Sequence, residues 1–125
     1  MTITENENIL QRRIELVDGM TGYMIDCAIN SEFGAGYTQT EIDRSGLILD
    51  DFLTALDDET VPADPEKIAG VVKRPVLALN GLNSECDGSL IETDQREHVC
   101  DILLWAANEA GLDTDEDVTE QWRGW

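Results

Sequence analysis

Apolar residues recur with helical spacing along most of the chain, and no stretch shows the period of two that a half-buried strand needs. The broadest pattern lies at residues 93–112, TDQREHVCDILLWAANEAGL. Wound as a helix, Val99, Cys100, Ile102, Leu103, Leu104, Ala106, Ala107 and Ala110 cover an arc of about 200°, far wider than the stripe of a surface helix. That width predicts a central buried helix near residues 94–110, wrapped by the other elements. Asp94 with Glu97 reads as its capping box, and Gly111 as the left-handed residue that closes it.

The remaining segments fall around it. Thr4 with Glu7 opens a first helix, in which Ile9, Leu10, Ile14, Leu16, Val17, Met20, Tyr23, Met24, Cys27 and Ala28 keep the period. Gly19 and Gly22 each cost about 1 kcal/mol relative to alanine in a helix interior, so the sequence leaves open whether this helix is continuous or is kinked or split near residues 18–22. Thr38 or Thr40 opens a second helix, with Thr38 and Glu41 spaced as a capping box, that runs to about Asp58 with Ile42, Leu49, Phe52, Leu53 and Leu56 as its stripe. Asp64 before Pro65 is an N-cap followed by a first-turn proline; Ile68, Val71, Val72, Val76, Leu79 and Leu82 then continue the period. Pro75 lacks an N–H and predicts a break at residues 73–75. Thr119 is placed to cap one last helical turn in VTEQWRGW, whose tryptophans would anchor the tail. The fold expected is all-α: one domain over residues 1–125, a compact bundle of about five helices around the central one.

Charge changes the picture more than length does. Twenty-seven Asp and Glu against eight Lys and Arg give a formal net charge of −19. Such a field repels nucleic acids and anionic membranes and attracts cationic surfaces, so direct nucleic-acid binding and membrane association are disfavoured and a basic protein partner is favoured. Glu5, Glu7, Arg12, Arg13 and Glu15 interrupt any signal-peptide core, and no apolar run reaches membrane-spanning length; a cytoplasmic protein is expected. Cys27, Cys86 and Cys100 form an odd set without a CxxC pair, which reads as reduced thiols. Cys27 and Cys100 fall on apolar faces, whereas Cys86, beside Asp87 and Gly88, is expected to be exposed.

Reactive chemistry finds little support. The glycines of SEFGAGY follow no strand and precede no Lys-Ser/Thr, so they are not a phosphate cradle. Asp113, Asp115 and Asp117 imitate the first ligands of an EF-hand loop, but Val118 stands where its glycine belongs and Gly124 where its bidentate Glu belongs. The single histidine, His98, shares a helix flank with Asp101, Trp105 and Glu109, and no nucleophile can be placed beside it. Neither a metal nor a cofactor is expected, and the chain does not read as an enzyme.

The acids are distributed unevenly. Residues 50–64 hold six acids and residues 113–120 hold five, with no base in either stretch. Asp43, Asp50 and Asp57 are seven residues apart, about 10.5 Å of helix rise, and Asp51 and Asp58 stand beside them. Asp43, Asp50, Asp51, Asp57, Asp58 and Asp64 therefore form one candidate partner-binding ridge. Asp113, Asp115, Glu116 and Asp117 with Trp122 and Trp125 form a second candidate, and Tyr37 is a further aromatic anchor.

The segment VLALNGLNSECDGSLIETDQREHVCDILLWAANEAGL, followed by VTEQWRGW, resembles small immunity proteins of bacterial polymorphic-toxin and contact-dependent growth inhibition systems. The resemblance implies an inhibitor that covers the basic cleft of one toxin domain, a nuclease in the first instance, with acids in the place of substrate phosphates. The alternatives are a nucleic-acid mimic from a phage or mobile element acting on restriction or CRISPR machinery and, behind it, a small enzyme using His98.

Overall fold

A computed structural model describes every residue except Met1, Phe33, Val61, Pro62, Asp113 and Asp115, and the described residues contain helices and turns but no strand. A short 3-10 turn (Ile3–Glu5) is followed by α1 (Glu7–Asn30), α2 (Gln39–Glu59), α3 (Pro65–Glu85) and α4 (Thr93–Ala110). The expected five helices are thus four. Residues 118–122 form a hydrogen-bonded turn rather than a fifth helix.

The starts of α2 and α3 follow the sequence signals. Thr38 and Glu41 form a capping box, and the Asp64 side chain accepts the Glu66 N–H at 3.0 Å with Pro65 in the first turn. The other two starts are displaced. Asn6, not Thr4, caps α1 by accepting the N–H groups of Asn8 and Ile9, and α4 is capped at Glu92, whose N–H is accepted by Gln95 rather than by the Asp94–Glu97 pair. The C-terminal reading of α4 matches: Gly111 is left-handed at φ 114°, and Leu112 donates to the Ala107 carbonyl.

α1 runs unbroken through Gly19 and Gly22, and α3 runs unbroken through Pro75. Pro75 forfeits one backbone hydrogen bond, but it is itself buried, and Val71, Val72, Val76 and Leu79 around it are also buried. Burying a side chain of this size is worth about 1.5–3 kcal/mol, so packing outweighs the lost bond.

The core lies between two helix pairs, α1 with α4 and α2 with α3. Ile9, Leu16 and Met20 of α1 meet Ile42, Leu49, Leu53 and Leu56 of α2, the valine and leucine face of α3, and Val99, Ile102, Leu103, Ala106 and Ala107 of α4. α4 is not a hub wrapped on all sides: Cys100, Leu104 and Ala110 are only half-buried and Trp105 is exposed. α2 touches as many elements as α4 does, the 3-10 turn included. On α1, likewise, Leu10, Ile14 and Tyr23 belong to the solvent side rather than to the core.

The loop after α1 is pinned by its one large aromatic. Tyr37 is buried, donates its hydroxyl to the Met20 carbonyl at 2.9 Å, and its pKa is pushed up to about 12, chiefly by burial. Gly36, at φ 88°, lies so close to the α3–α4 turn that an added Cβ would come within 2.3 Å of Ser89 Oγ. In that turn Asn83, buried, accepts the N–H groups of Leu90 and Ile91 at 3.1 and 3.0 Å. Cys86 is packed in the same place and is buried, not exposed.

Candidate functional site

The acids of the candidate ridge separate into two groups when their partners are traced. Asp50 receives the guanidinium of Arg13 through two hydrogen bonds of 2.8 and 2.9 Å. Asp57 accepts the backbone N–H groups of Ile3 and Thr4 at 2.8 and 3.1 Å, and so holds the N-terminal turn against α2. Asp64 caps α3. These three do work inside the molecule.

Asp43, Asp51 and Asp58 do not. At 100° per residue they fall with Leu47 in an arc of about 80° on the outer side of α2. All four are exposed; Asp43 accepts only the Gln39 side chain at 2.9 Å, and none of the three carboxylates forms an ion pair among the described residues. Leu47 stands between them at 60% relative exposure.

Beside Leu47, the seam between α2 and α3 is open. A groove of about 490 Å³ is lined by Leu47, Ile48, Leu77, Ala78 and Gly81, with the Arg44–Glu85 pair at its edge. A smaller one of about 220 Å³ continues along Ile48, Phe52, Ala55, Val71 and Pro75 toward the Arg74–Glu59 pair. Asp51 borders both. Leu47 and Leu77 are the residues that sequence reasoning passed over. The signal was available: both lie off the buried stripes of their helices.

The second candidate cluster is used largely to fix the tail. Asp113 and Asp115 lie outside the described residues. Glu116 is exposed, and Asp117 is tied to the Thr119 N–H at 3.0 Å and to Arg123 at 2.7 Å. Burial pushes the Asp117 carboxyl up, but the Thr119 hydroxyl, the Thr119 N–H and the Arg123 charge outweigh it and hold its pKa below the ordinary value. Trp122 and Trp125 are half-buried and pack on the core, with Lys73 6.0 Å from the first ring and Arg123 5.4 Å from the second. Asn80 of α3 stitches this segment down, donating to the Trp122 carbonyl at 2.7 Å and accepting the Gly124 N–H at 2.9 Å. Tyr37, buried, offers no anchor to a partner.

The flank of His98, Asp101, Trp105 and Glu109 is completed by α1. Arg12 donates from Nε to Asp101 at 2.9 Å and from Nη1 to Glu15 at 2.8 Å, and its guanidinium lies 5.4 Å from the Trp105 ring centre. The hydrogen bonds to Glu15 and Asp101 raise the Arg12 pKa, and the one from Arg12 lowers that of Glu15. His98 Nδ1 faces Glu15 at 3.8 Å, while Asp101 is engaged by Arg12, so the His98–Asp101 pairing that the spacing permits is not made. Cys100 is turned toward the tail, 4.0 Å from the Thr119 hydroxyl. A groove of about 520 Å³ opens over this network between α1 and α4.

Among the described residues no three His, Cys, Asp or Glu side chains gather as a metal site, and no helix is long and apolar enough to cross a membrane. Comparison with protein-family models, curated proteins and solved structures returns no match.

Proposed function

We propose that the chain is an inhibitory binding protein that docks the outer face of α2 on a basic protein, as an immunity protein does when it covers the cleft of a nuclease toxin. The observation that carries this reading is the unpaired trio Asp43, Asp51 and Asp58 around exposed Leu47, on a helix whose remaining aspartates are engaged within the fold. In a chain of charge −19, carboxylates without cations destabilise the compact state, and a partner rich in Lys and Arg relieves that repulsion. The acids sit on a helix held by its buried stripe, so binding does not have to order them first. Leu47 and the grooves beside it supply an apolar contact that can be desolvated at the centre of the interface, and the acids form its rim.

The test is association with basic nuclease-toxin domains, measured by stopped-flow at several salt concentrations. Association is expected to be fast and to slow about ten-fold or more from low to high salt. Joint replacement Asp43→Asn, Asp51→Asn and Asp58→Asn is expected to lower the on-rate, and Leu47→Ala to raise the off-rate. Unchanged rates in both variants, or no binding to the basic domain at low salt, overturn the proposal.

A further inference from the structure

The groove between α1 and α4 is chemically unlike the α2 face. Ile9 and Trp105 give it an apolar lining; Asn8 and Gln11 add amides, and Glu15 and Glu109 add carboxylates. A volume of about 520 Å³ is within the range that receives a small molecule or a single long side chain. Trp105 is 40% exposed although it borders this groove.

Three observations fix the chemistry of an occupant. Two carboxylates, Glu15 and Glu109, line the groove against the single cation Arg12, so the groove favours a cation. Arg12 is already committed, by hydrogen bonds to Asp101 and Glu15, and Glu109 forms no ion pair among the described residues. Arg12 against Trp105 also shows which cation this indole accommodates: a planar guanidinium held near the ring by flanking carboxylates.

We propose that this groove is a second binding site, for an alkyl guanidinium that stacks on the exposed part of Trp105 with its charge on Glu109 and its alkyl stem along the groove. The guanidinium comes from a free small molecule or from an arginine side chain of another protein. The site does not depend on the reading of the α2 face, which lies on the other helix pair.

The test is titration of the full chain at physiological salt with n-butylguanidinium, followed through the indole N–H signals of the three tryptophans. The Trp105 signal is expected to shift saturably while those of Trp122 and Trp125 stay in place. n-Butylammonium, of equal charge and similar length, is expected to bind about three-fold more weakly or worse. Glu109→Gln, and Trp105→Leu followed at the α4 backbone amides, are each expected to weaken binding about five-fold or more. Both side chains are exposed, and far-UV circular dichroism of each variant checks that it is folded. A drift shared by all three indoles without saturation, or equal affinity in Glu109→Gln, reduces the effect to the counter-ion atmosphere of a −19 protein and overturns the proposal. An acetyl-Gly-Arg-Gly-amide peptide that binds as well as n-butylguanidinium identifies a protein arginine as the source, and a peptide that is excluded identifies a free small molecule. Asp43→Asn, Asp51→Asn and Asp58→Asn should leave this binding unchanged, so failure here and failure of the α2 interface are separable.

Discussion

Arg13 of α1 crosses over Gly46 and closes a two-point clamp on Asp50 of α2. A Cβ on Gly46 would stand 2.7 Å from the Arg13 guanidinium, so the bare helix surface at that position is what lets the clamp pass. Asp50→Asn is expected to lower stability by no more than about 1 kcal/mol, because both side chains are partly hydrated. Urea unfolding of the variant, alone and combined with Arg13→Gln, measures the coupling; the double variant should lose little more than either single one.

Asp57 has a different duty and a different signature. Its carboxylate holds two backbone N–H groups of the 3-10 turn, so Asp57→Ala should cost about 1 kcal/mol and raise hydrogen exchange at the Ile3 and Thr4 amides. Partner association through α2 should survive the change.

Asp43, Asp51 and Asp58 should behave in the opposite sense. With no cations to lose, their joint conversion to asparagine is expected to stabilise the fold by a few tenths of a kcal/mol while it slows association with a basic partner. Thermal melts at low salt read the first effect, and added salt should shrink it by screening.

The tail carries an acid-sensitive latch. Because the Asp117 carboxyl is held below its ordinary pKa, its contribution to stability is complete above the ordinary aspartate value of about 4 and is lost as pH falls through the lowered folded value. Acid titration followed at the Thr119 amide and the Trp125 indole should show the segment loosening in that window, and Asp117→Asn should remove the transition. The same variant should already be less well anchored at neutral pH, since Arg123 loses its partner.

Burial protects two of the three cysteines. Burial, reinforced by Glu41 and Glu85, pushes the Cys86 thiol pKa up, so iodoacetamide at mildly alkaline pH should modify it far more slowly than the same cysteine in urea. Cys100 is raised mainly by burial too, and should likewise be protected while the tail stays seated.

What could be read in the sequence is what short-range physics decides. Thr38 with Glu41, Asp64 with Pro65, and Gly111 after Ala110 are signals completed within four residues, and each appears as expected. The continuity of α3 through Pro75 was not legible, because it depends on a valine and leucine face being covered by α2. Nor could seven-residue spacing show which aspartates are free. Asp50 is engaged by a side chain 37 positions away and Asp57 by backbone 53 and 54 positions away, while Asp51 and Asp58, one residue further on, turn outward. The α1–α4 groove was half visible, as a helix flank holding His98, Asp101, Trp105 and Glu109. Its other wall, with Arg12 and Glu15, comes from the far end of the chain.

Asn83 gives the bundle an order of assembly. Its side chain ties residues only seven and eight positions ahead, so the reversal from α3 into α4 closes a short loop and its entropy cost is small. Pairing α1 with α4, by contrast, joins residues 89 apart at the Arg12–Asp101 contact. The α3–α4 turn is therefore expected to be in place in the folding transition state before α1 closes on α4: Asn83→Ala should slow refolding, whereas Asp101→Asn should speed unfolding.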